Sequence, residues 1–329
     1  MKIKSLNIKN FKSIVDITIN EPNPFTVFVG PNGSGKSNIF EALEFVRTFS
    51  LFGATYGNRR TQAISTQVID SYGGKSNVFN FNDNISPISI QIIEESKDIK
   101  LVLDSDLIIK ESNFIDINNN IFNSFSRLFL GKQIDKVKNV GDNRLNNSWN
   151  SSESNLEKVL KRVLENEWDK KEIIEWLELF IPEFKDVEVR KSEFSSNEEL
   201  LIYQKHYDKP FNKELISDGT YNILCLLTAV FQSDEPQFLC IEEPENGLNP
   251  KVVKELVNFF RDACEEKGHY IWLNTHSQTL VSQLREEEMI TVDKINGETK
   301  IKQFKEGDFY GMPADEALLT NALGGGLPW

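Results

Sequence analysis

Hydrophobic positions follow the period of strands in some segments of the chain and the period of helices in others. "KIKSLNIKNF" and "VDITI" alternate well enough to predict an opening hairpin, and "FTVFVG" is a β-branched and aromatic run that ends in glycine. In the segment after it, apolar residues recur on one helical face, namely Ile39, Phe40, Leu43, Val46 and Phe49. The sequence therefore predicts strand, glycine loop and helix, the order that a phosphate site needs.

The stretch that follows is less regular. Residues 51 to about 85 are rich in Gly, Ser, Thr and Asn, a composition typical of turns, and they lead into "ISIQII" and "IKLVLD", a predicted strand pair. Residues 111–155 predict loops and short helices.

Helical spacing returns at residue 156. "LEKVLKRVLENEW" and "EIIEWLELFIPEF" predict two amphipathic helices, the second stopped by Pro182. Both are far too short for an extended coiled-coil arm. "DVEVRKSEF" and "ELLIYQKHY" alternate as strands, and a hairpin would pair them.

The C-terminal part alternates strands with helices. "QFLCIEEPENGLNP" predicts a buried strand that ends in paired acids, "VVKELVNFFRDACEEKG" a helix, and "YIWLNTHS" a further strand. Such alternation implies parallel pairing. The last twenty residues predict a short helix and a glycine-rich tail.

Composition and charge limit the function classes. With 329 residues, 39% of them hydrophobic, the chain can form one large domain or two ordinary ones. A net charge of −13 has the wrong sign for a protein that coats phosphate backbones, although a local basic patch is still open. The start lacks a signal-peptide pattern and the longest apolar run is too short to cross a bilayer, so we expect a soluble, cytoplasmic protein without a membrane partner. We expect Cys225, Cys240 and Cys264 to be buried reduced thiols.

The strongest motif is "GPNGSGKS", which satisfies the P-loop pattern between a predicted strand and a predicted helix. Its glycines let backbone N–H groups close around phosphate oxygens, Lys36 adds positive charge, and the Ser37 hydroxyl is suited to Mg²⁺. The predicted nucleotide-binding residues here are Gly30, Pro31, Asn32, Gly33, Ser34, Gly35, Lys36, Ser37 and Asn38.

Polar residues at two further strand ends complete the candidate chemistry. Glu242 is placed to hold Mg²⁺, directly or through water, and Glu243 to polarise the attacking water. His276 follows a third strand, from which it could reach a γ-phosphate. His206 and His269 have no such setting, and we interpret both as structural.

"LISDGT" predicts a helix start with Ser217 or Asp218 as the N-cap, which is also an anion-binding arrangement. After "IKNFKSI" at the start, "GPNGSGKSN", "LISDGT", "IEEPENGLNP" and "NTHS" follow in this order, and the set resembles the ABC-type ATPases. The similarity is greatest to their RecF, OLD and SMC-like branch, including the short prokaryotic ATPases of the AAA-21 type. In that family the signature of one subunit caps the ATP bound to another. The resemblance therefore implies that Ser217 and Gly219 contact nucleotide in trans. For Lys12 and Ser13 of "NFKS" two alternatives stay open: they approach the nucleotide, or the lysine is simply solvated at a strand end. Gln67 and Gln91 are both candidates for the Q-loop glutamine.

The fold class implied is α/β, a P-loop NTPase with an ABC-type head, which is a mixed and parallel sheet flanked by helices, plus a helical or irregular insertion lobe. Four segments of one head are expected: an N-terminal lobe with the P-loop, an insertion, a C-terminal lobe with the other motifs, and a C-terminal extension. Their bounds are 1–100, 101–195, 196–290 and 291–329.

The function implied is that of an ATPase that uses Mg²⁺, forms a homodimer around ATP, and serves as motor or sensor in a DNA-repair or antiphage-defence complex. The effector, a nuclease or toxin, is expected on a separate chain. The alternatives are a nucleotide-gated scaffold with little turnover and the nucleotide-binding domain of a transporter. Nucleic-acid contact is left open, with two candidate basic faces: Arg59, Arg60 and Lys75, or Lys132, Lys136 and Lys138. For the tail, residues 318–329, two alternatives are open: it docks onto a partner or the other subunit, or it packs on its own domain.

Overall fold

The computed structural model of the chain describes residues 2–56, 62–80, 83, 85–95, 97–112, 121–130, 156–191, 198–320 and 323. Its strands are β1 (Ile3–Phe11), β2 (Ile14–Asn20), β3 (Phe25–Val29), β4 (Ile88–Glu94), β5 (Asp98–Leu103), β6 (Ile109–Ser112), β7 (Phe125–Phe129), β8 (Phe184–Lys191), β9 (Glu198–Gln204), β10 (Phe211–Asn212), β11 (Phe238–Glu242), β12 (Tyr270–Thr275), β13 (Met289–Ile295) and β14 (Glu298–Gln303). Its α-helices are α1 (Lys36–Tyr56), α2 (Gln62–Ser71), α3 (Lys75–Val78), α4 (Leu156–Leu164), α5 (Glu167–Phe180), α6 (Asp218–Phe231), α7 (Pro250–Lys267), α8 (Gln278–Val281) and α9 (Ala314–Leu319).

A six-stranded sheet carries the predicted motifs. Its order is β14, β13, β3, β12, β11, β7, and every neighbouring pair is parallel except β13 with β14. The strand before the P-loop, the strand that ends in Glu242 and the strand that precedes His276 are therefore adjacent and point the same way. Parallel strands present their carboxyl ends at one edge, which confirms the predicted parallel pairing and places the motifs together.

Alternate residues of these central strands face two different cores. Phe28, Cys240 and Trp272 pack on the side of α1 and the opening strands, whereas Leu239 and Leu273 pack on the side of α4 to α7. A sheet covered on both faces needs strands that are apolar throughout, which is the reason that these segments read as continuous hydrophobic runs.

Two antiparallel sheets accompany the central one. One has the order β2, β1, β4, β5, β6, and the other β10, β9, β8. The predicted opening hairpin, the pair β4 with β5 and the pair β8 with β9 are all confirmed. The two amphipathic helices are α4 and α5, and α5 ends at Phe180, just before Pro182.

The structure differs from the sequence expectations in two places. The turn-like composition after residue 51 does not prevent helix formation, since α1 continues to Tyr56 and α2 and α3 follow. Within residues 111–155, the segment Phe125–Phe129 is a strand, not a loop or helix, and it forms the edge of the six-stranded sheet next to β11. Five residues amid Asn and Ser give little local signal, because the long-range pairing with β11 decides the conformation.

The cysteines are free and buried, as predicted, and burial raises the pKa of each thiol, to about 12 for Cys264. His269 is buried and structural: it accepts from the Gln237 N–H at Nδ1 (3.1 Å), and its Nε2 lies 3.1 Å from the Val230 carbonyl. No helix in the described ranges combines the length and apolar character needed to cross a membrane.

Candidate functional site

The P-loop connects β3 to α1 and is shaped by close backbone approaches. A Cβ on Gly30 would lie 2.1 Å from the carbonyl oxygen of Val292 on β13. Gly35 has φ +103°, and a Cβ there would lie 2.0 Å from Thr299 Oγ1 on β14. Neither position has room for a side chain, so the loop depends on glycine for packing as well as for conformation.

Lys36 lies inside the loop. Its Nζ donates to the carbonyl oxygens of Gly30 (2.6 Å) and Pro31 (3.0 Å), and the residue is buried. Burial lowers the pKa of Lys36, although Glu243, Glu242 and Glu245 favour its charged form and oppose that shift. The loop therefore holds a desolvated ammonium where phosphate oxygens are expected.

Three polar side chains meet at the ends of α1, β11 and β12. Ser37 Oγ donates to Glu242 Oε2 (2.9 Å), and Asn274 Nδ2 donates to the same carboxylate oxygen and lies 3.3 Å from Ser37 Oγ. A hydroxyl and a carboxylate side by side are hard oxygen donors of the kind that Mg²⁺ prefers, so Ser37 and Glu242 fit that ion. Among the residues that the structure describes, no cluster of three or more His, Cys, Asp or Glu is placed to hold a metal.

The other oxygen of Glu242 is held by Arg127, which the sequence reasoning missed. Arg127, on β7, donates from Nε (2.9 Å) and Nη2 (2.6 Å) to Glu242 Oε1, and from Nη1 to Glu44 Oε2 on α1 (3.0 Å). Burial works against the charged form, but Glu242, Glu44 and Glu41 outweigh it and raise the pKa of Arg127. An arginine between Phe125 and Phe129 was the signal available, but it has no fixed spacing from the motifs.

Glu243 and His276 lie beside this cluster, and both side chains are partly exposed. His276 Nδ1 is 3.2 Å from Glu243 Oε1, and Asn246 Nδ2 donates to Glu243 Oε2 (2.9 Å). Glu243 has φ +46°, a left-handed conformation that costs energy for a non-glycine residue. Its N–H donates to the main-chain and side-chain oxygens of Asn274 (both 3.1 Å), which fixes that conformation.

The "NFKS" segment braces the P-loop. Ser13 Oγ accepts from Asn38 Nδ2 (2.6 Å) and lies 2.6 Å from Thr299 Oγ1, which in turn donates to the Ser34 carbonyl (2.9 Å). Thr299 is fully buried and was not identified from the sequence. Lys12 has left-handed φ and forms an ion pair with Glu41 on α1, so its charge is directed at that helix.

The "LISDGT" segment, residues 215–220, leads into α6, with Ser217 as the N-cap of that helix. Ser217 Oγ accepts from the Thr220 N–H (3.1 Å) and is exposed. Gly219 packs against the loop after β11, since a Cβ on it would lie 2.5 Å from the Gly247 carbonyl oxygen. Asn222 Nδ2 donates to the Asn246 carbonyl (2.9 Å), so two contacts join α6 to this loop.

Other candidates are placed as follows. Gln91 donates to Asp98 on β5 and Gln67 is exposed on α2, and neither residue has a hydrogen bond to the P-loop among the contacts of the described chain. Lys75 lies over the Phe79 ring (5.5 Å). Of the tail, Leu323 is buried and its carbonyl accepts from Thr291 Oγ1 (3.3 Å). The rest of the tail beyond Thr320 lies outside the described residues. The remaining basic candidates also lie outside them, namely Arg59, Arg60, Lys132, Lys136 and Lys138.

Solved structures with similar folds include heads of SMC proteins. The chain superposes on an SMC head bound to the C-terminal winged-helix domain of ScpA with a TM-score of 0.62 and 17% identity, covering 94% of this chain and 99% of that one. For the SMC head domain from Thermotoga maritima the TM-score is 0.53 and the identity 16%, over 93% and 100% of the two chains. Fold and site together define a P-loop ATPase with an ABC-type head.

The chain belongs to the family described as "AAA domain, putative AbiEii toxin, Type IV TA system", whose model matches residues 25–282. It is 22% identical to an "ATP/GTP phosphatase" of Helicobacter pylori over 94% of both chains. It is 31% identical to the "Chromosome partition protein Smc" of Halothermothrix orenii over 50% of this chain and 14% of that protein. The predicted ATP-binding, SMC- and RecF-like ABC-type ATPase is thus confirmed as a class.

Proposed function

We propose that this chain hydrolyses ATP with Mg²⁺ in sites shared between two copies. The observation that carries the proposal is the convergence of Ser37, Glu242 and Asn274, with the pair Glu243 and His276 beside them, at one edge of the sheet. Phosphate-binding backbone, hard oxygen donors and a partly exposed carboxylate are the parts that phosphoryl transfer to water requires.

Each residue has a stated role in the proposal. Lys36 exchanges its carbonyl contacts for phosphate oxygens. Ser37 and Glu242 would hold Mg²⁺, which would supply positive charge against the phosphates. Glu243 orients the attacking water and accepts its proton. His276 supports Glu243 through the contact at Nδ1 and approaches the γ-phosphate. Ser13 braces the loop beside the nucleotide, and Lys12 holds the adjoining helix α1 through Glu41.

The homodimer in the proposal rests on Ser217. Its hydroxyl and the first N–H groups of α6 form an exposed helix N-terminus, which favours an anion. In a head-to-head pair of chains, Ser217 and Gly219 of one copy would cap the phosphate that the P-loop of the other copy holds. ATP would then join the two copies and hydrolysis would release them.

At the level of the cell, we propose a motor or sensor subunit of a DNA-repair or antiphage-defence complex in the cytoplasm. Its effector, a nuclease or toxin, is a separate protein. The support is the family membership and the resemblance to SMC- and RecF-like heads.

The decisive experiment is Glu243→Gln, with Glu95→Gln, an exposed residue before β5, as the matched control. Phosphate release, ATP binding by calorimetry and mass by light scattering are measured for each protein. The variant should retain ATP, become a dimer, and hydrolyse slower by roughly the 10²–10⁴-fold due to a positioned base. Unchanged hydrolysis would remove Glu243 from the mechanism. If the wild-type protein dimerises with ATP but releases negligible phosphate, the result supports the alternative function of a nucleotide-gated scaffold.

A further inference from the structure

A groove runs between α5 and α7, on helices that contribute none of the proposed nucleotide contacts. Helix α5 contributes residues at helical spacing to one wall, and α7 does the same for the other, while the end of α6 closes the base. The lining residues are Glu172, Glu175, Trp176 and Leu179 of α5, Val230 and Phe231 of α6, and Phe259, Asp262, Ala263, Glu266 and Lys267 of α7.

The base of the groove is apolar, and part of that surface is exposed. Trp176 packs against Phe259 with ring centroids 4.9 Å apart and is only partly buried. Leu179 is 48% exposed, and Trp168, three turns before it on the same helix face, is 82% exposed. Large apolar side chains left open to water in one line along a helix are a feature of interaction sites.

Both rims of the groove are acidic. Glu172 and Glu175 lie along one side and Asp262 and Glu266 along the other, and Lys267 is the single cation among the lining residues. Its Nζ is 3.7 Å from Glu172 Oε2 and lies over the Phe231 ring. Burial raises the pKa of Glu172, and Glu266 adds to the shift while Lys267 opposes it. Outside the lining, Lys171 Nζ is 3.8 Å from Glu175 Oε1. The four acids of the two rims therefore carry more negative charge than these two lysines balance.

We propose that this groove binds an amphipathic helix of a separate protein, with apolar residues along one face and Lys or Arg on both flanks. An apolar stripe between two acidic rims is the complement of such a helix, and the stretch from Trp168 to Leu179 is about 16 Å long, or three helical turns. Phosphate backbones do not suit it, because the rims would repel them. The partner class rests on the proposed function, in which the effector is a separate chain.

Three labelled 14-residue peptides probe the groove: an amphipathic Leu/Lys helix with one Trp, the same helix with Glu for Lys, and a scrambled Leu/Lys peptide. Binding is read by fluorescence anisotropy. The amphipathic basic helix should bind wild-type protein. The double variant Glu175→Lys with Glu266→Lys should lower the affinity for this peptide about tenfold or more, because it reverses charge on both rims. The control pair Glu95→Lys with Glu306→Lys makes the same change of net charge on exposed residues elsewhere and should change affinity less than about twofold.

Leu179→Ser tests the apolar contribution and should also weaken binding of the amphipathic basic peptide. The melting temperature of each variant confirms that it is folded. Equal effects of the two charge-reversed pairs, equal binding of the scrambled peptide, or no binding at all would each overturn the proposal. If wild-type protein self-associates without ATP and Leu179→Ser abolishes this, a second copy fills the groove and the proposal is wrong. ATP hydrolysis is measured in parallel: its absence from wild-type protein rejects the proposed function and leaves the groove result standing.

Discussion

Arg127 donates two of its guanidinium N–H groups to a single carboxylate oxygen of Glu242, at 2.9 and 2.6 Å, while Ser37 and Asn274 occupy the other oxygen. The carboxylate is 9% exposed and the arginine side chain 6%. With both oxygens held, Glu242 cannot rotate, so it faces Ser37 in one fixed orientation. Arg127 thus acts on the proposed metal site through Glu242 and is a positioning residue.

Replacing Arg127 should therefore affect stability and metal affinity together. Arg127→Met leaves a buried carboxylate without its cation, a change that costs about 3–5 kcal/mol of unfolding free energy in comparable pairs. Mn²⁺ binding to the ADP complex, followed by electron paramagnetic resonance, should weaken by roughly 10–100-fold, the usual effect of removing a residue that orients a ligand.

Arg127→Lys keeps the charge without the forked geometry and should recover part of both losses. Glu44→Gln removes an outer partner of Arg127 without touching Glu242 and serves as the control, with little change in Mn²⁺ affinity. If Arg127→Met is destabilised but binds Mn²⁺ like the wild type, the arginine supports the fold alone.

Much of the site was accessible from the sequence because local patterns specify it. "GPNGSGKS" lies between β3 and α1, and the acids and His276 follow parallel strands, whose ends must meet. Arg127 and Thr299 could not be predicted from the sequence. Each acts through partners more than a hundred residues away, Glu242 and Ser34, and such pairs are set by strand order across the sheet. Strand β7 was missed for the same reason, and with it the arginine.

Gly219 gives a prediction about the contact between α6 and the loop after β11. In an ordinary helix Ala would be favoured over Gly, but here a Cβ would meet the Gly247 carbonyl at 2.5 Å. Gly219→Ala should force the two segments apart, at about 1–3 kcal/mol of unfolding free energy, as overpacking does. Hydrolysis should fall because Asn246, in the displaced loop, contacts Glu243.

Thr220→Ala at the next position is the matched control, since it keeps the backbone N–H that Ser217 caps. Urea unfolding and phosphate release are compared for the two variants. A Gly219→Ala protein as stable and active as Thr220→Ala would contradict the close contact.

The buried His269 should make the free energy of unfolding depend on pH. Burial lowers its pKa in the folded state, outweighing the hydrogen bond to Val230, so the folded protein binds this proton less readily than the unfolded chain. The resulting stability is complete above the unfolded pKa of about 6.5 and is lost as pH falls through the lower, folded value. His269→Met removes this group, so the gap in unfolding free energy between wild type and variant should narrow from pH 7.5 to pH 5. A gap that stays constant would show that His269 does not titrate between the two states.

The last prediction tests whether the sites are shared. Ser217→Arg places a bulky cation at the exposed N-terminus of α6, where the phosphate bound by the other copy would approach, and it should abolish hydrolysis while leaving ATP binding by the single chain intact. Lys36→Ala removes the buried ammonium inside the P-loop and should abolish ATP binding by its own chain. Each variant alone should be inactive.

Mixing the two variants separates a shared site from a self-contained one. In the proposed shared arrangement, the "LISDGT" segment of one chain serves the P-loop of the other, so one site of the mixed dimer would carry both changes and the other site neither. Part of the phosphate release should therefore return on mixing, and should peak near equal amounts of the two chains. If Ser217→Arg alone hydrolyses ATP at the wild-type rate, Ser217 only caps α6, and the site of each chain is complete without its partner.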